Sequence, residues 1–213
     1  MTPALAIASS LAGGYLAGSL PWGLWLGLWL RRVDVRTLGS GNLGATNVYR
    51  ELGPGIGIAT LLLDIAKGAV PTWWIPLTSV GAAFPGGPEW CRLAPGLACV
   101  LGHVFPVFAG FKGGKGVATT VGVLLALSPP AFAVFVGVFV VIVAVTRFIS
   151  LGSILGSLAF AAVLAVSAPG GWRSPTFACG ALIALLVILR HHENIRRLLR
   201  GEERRFSLKG GRA

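Results

Sequence analysis

The amino-acid sequence predicts an all-α polytopic integral membrane protein with about seven transmembrane helices, its N-terminus outside and its C-terminus in the cytoplasm. Three observations carry that prediction. Of 213 residues, 54% are hydrophobic and 12% charged, with a mean hydropathy of +0.79, whereas a soluble domain carries about 25% charged residues. Apolar runs of span length recur along the chain, which places it in a bilayer. Basic residues collect between alternate runs, the pattern that orients membrane helices. The length suits one domain, 1–213, with lipid replacing much of a water-excluded core.

The first run, about Ala4 to Leu30, is broken only by Pro21 and small residues. At 1.5 Å per residue it is roughly 40 Å long, enough to cross a ~30 Å hydrocarbon core with tilt. No Lys or Arg precedes it and no small-residue cleavage site follows, so a retained helix is expected rather than a signal peptide. Further runs cover about 53–79, 90–109, 116–128, 131–146, 149–168 and 175–190. The pair 116–128 and 131–146 is short and separated by Ser128-Pro129-Pro130; it either spans twice or re-enters, and both return the chain to the same side.

Charge sets the orientation. Arg31, Arg32, Arg36, Arg50, Lys112, Lys115, Arg147 and eight more basic residues between Arg190 and Arg212 fall on one side, fifteen in all; Arg92 and Arg173 fall on the other, and Lys67 lies within a span. Positive-inside topology assigns the fifteen to the cytoplasm. Trp73, Trp74, Trp90 and Trp172 then lie near external span ends, where an aromatic belt belongs. The net charge of +11 is thus explained by topology and anionic ligands, and no nucleic-acid partner is expected. The three cysteines, Cys91, Cys99 and Cys179, lie in or beside apolar segments and read as small buried hydrophobes.

Three polar stretches share the cytoplasmic side under this topology. Gly39-Ser40-Gly41-Asn42-Leu43-Gly44-Ala45-Thr46-Asn47-Val48-Tyr49-Arg50 reads either as an ordinary turn or as a loop whose backbone N–H groups approach a ligand, with Arg50 as a bidentate phosphate or carboxylate partner. Gly102-His103-Val104-Phe105-Pro106 leads to Phe111-Lys112-Gly113-Gly114-Lys115-Gly116 and a following helix. Backbone donors, a helix N-terminus and two ammonium groups suit an anion; the plain alternative is a flexible basic loop, and His103 alone reads as structural. Arg190-His191-His192-Glu193-Asn194-Ile195-Arg196-Arg197 follows the last span, with His191 and Asn194 at i,i+3 on one face of a continuing helix; a basic tail on anionic lipid is the alternative. No metal is expected there, because ligand spacing is lacking. Asp64 and Lys67, at i,i+3 within the second run, read first as a mutual ion pair and second as a wall of the site.

Together these stretches resemble the acyl-phosphate:glycerol-3-phosphate acyltransferases of the PlsY type. That family carries a GS-x-N-x-GATN-x-x-R loop, a GH-x-FP followed by FKGGKGVAT, and a C-terminal RH-x-x-NI-R, which stand here as Gly39–Arg50, Gly102–Thr119 and Arg190–Arg196. The resemblance covers nearly the whole chain, including Gly18-Ser19-Leu20-Pro21 and Leu63-Asp64-Ile65-Ala66-Lys67-Gly68. It implies transfer of a fatty acyl group from acyl phosphate to the sn-1 hydroxyl of glycerol 3-phosphate, giving lysophosphatidic acid and phosphate in the bacterial inner membrane, with no cofactor. On matched positions it implies Ser40, Asn42, His191 and Asn194 as catalytic, and Thr46, Asn47, Arg50, Lys112, Gly113, Gly114, Lys115 and Gly116 as substrate-binding. The donor is a mixed anhydride with a good leaving group, so positioning and charge compensation suffice and no Ser-His-Asp arrangement is required. A small anion transporter or channel is the rival class; it needs a polar route across the bilayer, for which only Asp64 and Lys67 are at mid-span. Acyltransferases with a His-x-x-x-x-Asp motif are excluded at His103, where the fifth following residue is Phe108.

Overall fold

A computed structural model describes residues Met1 to Ser207. Regular structure among them is helical throughout: α1 (Pro3–Gly18), α2 (Trp22–Arg31), α3 (Ala45–Leu52), α4 (Pro54–Trp74), α5 (Ser79–Ala82), α6 (Gly87–Val104), α7 (Val117–Leu127), α8 (Pro129–Thr146), α9 (Ile149–Ser167), α10 (Pro175–Arg190) and α11 (His192–Leu199). Among the described residues, five helical stretches are long and apolar enough to cross a membrane: Pro3–Arg31, Pro54–Leu77, Gly87–Ala109, Pro129–Thr146 and Ile149–Ser167; α10 and α11 make a sixth if the bent pair counts as one. All seven predicted segments are helical, but α7 has 11 residues and is only about 16 Å long at 1.5 Å per residue, too short to span alone. Large apolar side chains face outward, among them Leu62, Val70, Val140, Val145 and Val166. Apolar surface this extensive needs a lipid environment.

The chain divides into two compact units. The first, Met1–Leu127, is joined by close backbone approach. Gly14 and Gly18 on α1 face α6, where a Cβ at either would overlap the carbonyl of Pro95 or Cys99. Small residues four apart admit a neighbouring backbone in this way. Gly68 on α4 and Gly122 on α7 do the same, against the carbonyls of Thr119 and Ile65. The short α7 is thereby packed along α4. Pro21 separates α1 from α2, because proline offers no N–H and its ring obstructs a continuing helix.

In the second unit, α8 packs along α9. Phe135 and Phe139 stack with centroids 6.2 Å apart, and Gly152 and Gly156 on α9 leave room for both rings. Phe135 also meets the fully buried Phe160 at 6.1 Å. α10 begins at an N-cap, where Ser174 Oγ accepts from Phe177 N at 3.0 Å. It ends at His191, and α11 turns away by 56°.

Candidate active site

The Gly39–Arg50 stretch is a loop leading into α3, and Asn47 organises it. Asn47 is buried, and its Oδ1 accepts from Ser40 N at 3.0 Å. Its Nδ2 donates to Asn42 O at 3.0 Å and Leu38 O at 3.2 Å, with Val35 O at 3.5 Å. The amide is spent on loop backbone, so Asn47 shapes the loop. Asn42 folds the next turn, its Oδ1 accepting from Gly44 N at 2.9 Å. Gly39 and Gly41 have φ of 55° and 67°, and a side chain at Gly39 would run into Glu51 and Asn47. Ser40 is left exposed at the tip. Thr46 and Arg50, four apart on α3, share one half-buried face.

The second loop lies over the end of α6. Phe111 N donates to Pro106 O at 2.9 Å and Gly114 N to His103 O at 3.1 Å. Gly113, Gly114 and Gly116 are buried, Lys115 is half-buried and Lys112 exposed. Gly114 thus spends its amide on α6 and serves close packing. α7 starts immediately after Gly116, so its first-turn N–H groups, which have no partner within the helix, adjoin Lys115.

Both loops stand on one apolar floor. Leu24, Val35, Leu43, Val48, Ile56 and Ala109 form a buried cluster, with Trp25, Leu26 and Leu52 against it. Leu43 and Val48 come from the first loop and α3, and Ala109 from the second loop. A small pocket runs between them, lined in part by Trp22, Leu43, Asp64, Lys67, His103 and Gly114. Lys67 Nζ lies 2.9 Å from Asp64 Oδ1, an ion-pair distance. That oxygen lacks an aligned hydrogen bond, and the ammonium donates to Leu20 O at 2.7 Å. The mutual pairing expected for Asp64 and Lys67 is present, and it includes His103, whose Nδ1 is 3.7 Å from the same carboxylate oxygen.

The third motif belongs to the second unit. The continuing helix expected through His191 does not form. His191 N bonds Ile188 O at 2.9 Å, while its ring Nδ1 takes Val187 O at 2.7 Å, the carbonyl that its own N–H would use in an α-helix. A carbonyl only accepts, so Nδ1 carries the proton and the neutral ring's lone pair is on Nε2. Asn194 is buried, and its Nδ2 donates to Glu203 Oε1 at 2.7 Å. Ser150 Oγ donates to the same oxygen at 2.6 Å, and Arg197 Nε donates to Oε2 at 2.7 Å. Burial pushes the Glu203 carboxyl up, but the hydrogen bonds from Ser150, Asn194 and Arg197 outweigh it and hold the group below its ordinary range. Sequence reasoning passed over Glu203 and Ser150. The available signal was an acidic pair, Glu202-Glu203, within an arginine-rich tail; Lys209 and Arg212 of that tail lie outside the described residues.

Membrane-length helices carrying two glycine-rich, Lys- and Arg-bearing loops on a common floor define a multi-pass membrane protein with cationic polar loops. The chain belongs to the glycerol-3-phosphate acyltransferase family. The profile described as "Glycerol-3-phosphate acyltransferase" matches residues 8–201. A glycerol-3-phosphate acyltransferase of Anaeromyxobacter sp. (strain K) is 48% identical, over 96% of this chain and all of that one. One from Geobacter sulfurreducens is 48% identical, over 92% of this chain and 95% of its own length. The crystal structure of PlsY (YgiH), an integral membrane glycerol 3-phosphate acyltransferase in its glycerol 3-phosphate form, superposes with a TM-score of 0.83 at 40% identity, covering 94% of this chain and 96% of that one. Its lysophosphatidic acid form gives 0.81 at 39% identity, covering 96% and 97%.

Proposed function

We propose that this protein transfers a fatty acyl group from acyl phosphate to the sn-1 hydroxyl of glycerol 3-phosphate, the first acylation step of bacterial phospholipid synthesis. The observation that carries the proposal is the shared apolar floor beneath the two polar loops, which joins phosphate-suited groups to a membrane-embedded fold. Both substrates bring phosphate, and one brings an acyl chain. Lys112, Lys115, Arg50 and the glycine-rich backbone suit the first; the surrounding helices suit the second.

In the reaction the hydroxyl oxygen bonds to the acyl carbonyl carbon and the carbon–oxygen bond to phosphate breaks. Phosphate leaves with the electron pair, and the hydroxyl proton passes to a phosphate oxygen or to His191 Nε2. Ser40, Asn42 and Thr46 position substrate, and Asn47 holds their loop in shape. Lys112, Lys115 and Arg50 offset phosphate charge, with Gly113, Gly114 and Gly116 permitting the close backbone. His191 and Asn194 orient glycerol 3-phosphate. No covalent acyl-enzyme forms. The protein sits in the bacterial inner membrane, N-terminus outside, with α7 and α8 together returning the chain to the same side, and its active site faces the cytoplasm, as the charge asymmetry supports.

The test is a donor comparison on purified protein, with acyl phosphate, acyl-CoA and acyl-carrier protein offered separately beside glycerol 3-phosphate. Acyl phosphate is expected to be used and acyl-CoA not. Efficient turnover with acyl-CoA alone overturns the donor assignment.

A further inference from the structure

A buried charged cluster lies under the second loop, and the reaction as described does not use it. Asp64, Lys67 and His103 have side-chain exposures of 2%, 4% and 6%. Replacing buried ion pairs by apolar residues is often neutral or stabilising. Stability alone is therefore a weak reason for three ionisable groups here, and their neighbours suggest another.

The cluster meets four parts of the first unit. Lys67 Nζ holds the carbonyl of Leu20 at the proline break between α1 and α2. Cys99 Sγ on α6 donates to Lys67 O at 2.9 Å, tying α6 to α4. Asp64 faces His103 on the last turn of α6. His103 in turn supports the loop. Gly114 lies so close to the imidazole that a Cβ there would overlap Nε2, with Cε1 and Cδ2 next at 2.9 and 3.0 Å. A Cβ at Gly113 would overlap the His103 carbonyl. The imidazole thus sets how far the Gly113–Gly114 backbone sits above α6, and Lys112 and Lys115 flank those two glycines directly.

We propose that His103 is a positioning residue that sets the height of the Lys112–Lys115 loop and through it the binding of a substrate phosphate. The proposal rests on the reading that this loop receives phosphate. Asp64 Oδ1 lies 3.7 Å from the ring's Nδ1, within ion-pair range but beyond hydrogen-bond distance, and Lys67 Nζ lies 2.9 Å from the same oxygen.

The test is a double-substitution cycle on the purified full chain, with kcat, KM for each substrate and thermal unfolding measured separately. Gly114→Ala alone is expected to raise KM for a phosphate substrate about 5- to 150-fold, the range that overpacking gives. His103→Ala is expected to raise the same KM with kcat changed less than about threefold, as a binding effect requires. In the His103→Ala background, Gly114→Ala should add less than about twofold, because its methyl enters space the ring occupied. If His103→Ala does not yield folded protein, the shorter His103→Asn serves as the background. Multiplicative effects overturn the proposal, as does an unchanged KM in His103→Ala or in Gly114→Ala. Lys112→Ala, run alongside, separates this from the underlying reading. If it leaves both KM values unchanged, the loop does not receive phosphate; if it raises one while the cycle is multiplicative, only the role of His103 fails.

Discussion

Replacing Glu203 by Gln removes one negative charge from a buried junction while keeping its shape. Oε1 accepts two hydrogen bonds, from Ser150 and Asn194, and Oε2 accepts one from Arg197. The glutamine amide has a single oxygen. Placed at the Oε1 position it retains two donors, and its NH2 then faces the N–H of Arg197, donor against donor. One charge-assisted bond is lost, of a kind worth about 1.5–3 kcal/mol. Arg197 is partly solvated at 36% exposure, so the lower part of that range applies, about 2 kcal/mol. For a chain of this length about 2 kcal/mol lowers the melting temperature by roughly 4–8 °C. Loosening Asn194 should also cut kcat/KM by about tenfold, which corresponds to about 1.4 kcal/mol of lost positioning. The sign of the pH dependence follows from the carboxyl being held below its ordinary value of 4.5. Its stabilisation is fully present above that value and is lost as pH falls through the lower value of the folded state. The melting difference between wild type and Glu203→Gln should therefore be full at neutral pH and shrink below pH 4.5. Thermal unfolding in detergent across pH, with initial rates at neutral pH, measures both effects. An equal melting difference at neutral and acidic pH, or unchanged melting and activity, refutes the reasoning.

Two further outcomes concern the first unit. Lys112→Ala and Arg50→Ala should each weaken substrate binding by about 10- to 150-fold, the equivalent of one charge-assisted phosphate contact of roughly 1.5–3 kcal/mol, and should appear mainly in KM; unchanged KM for both substrates removes that residue from the phosphate site. Radiolabelled acyl phosphate without glycerol 3-phosphate should leave no acyl group on the denatured, washed protein, because its loop offers Ser40 no general base; label on wild type that Ser40→Ala abolishes would make Ser40 a nucleophile.

By itself the sequence determined what depends on local pattern. Apolar runs specify membrane helices through the cost of unsatisfied backbone in lipid, and the fifteen-to-two basic asymmetry predicts their orientation. Motif order pointed to the family that residues 8–201 match. The glycines of both loops were legible because tight turns and close packing need them. What only the tertiary structure decided are roles that depend on partners far along the chain. Asn47 could be read as a ligand, but its amide is spent on the backbone of Val35, Leu38, Ser40 and Asn42. His191 was expected within a continuous helix, and its own ring competes for the Val187 carbonyl and breaks it. Ser150 and Glu203 meet across 53 residues of sequence, and His103 meets Asp64 from a different helix. Hydrophobic periodicity records which face of an element is buried, but not which buried polar group will complete another's hydrogen bonds. That pairing exists only once packed backbones have brought the groups within 3 to 4 Å of each other.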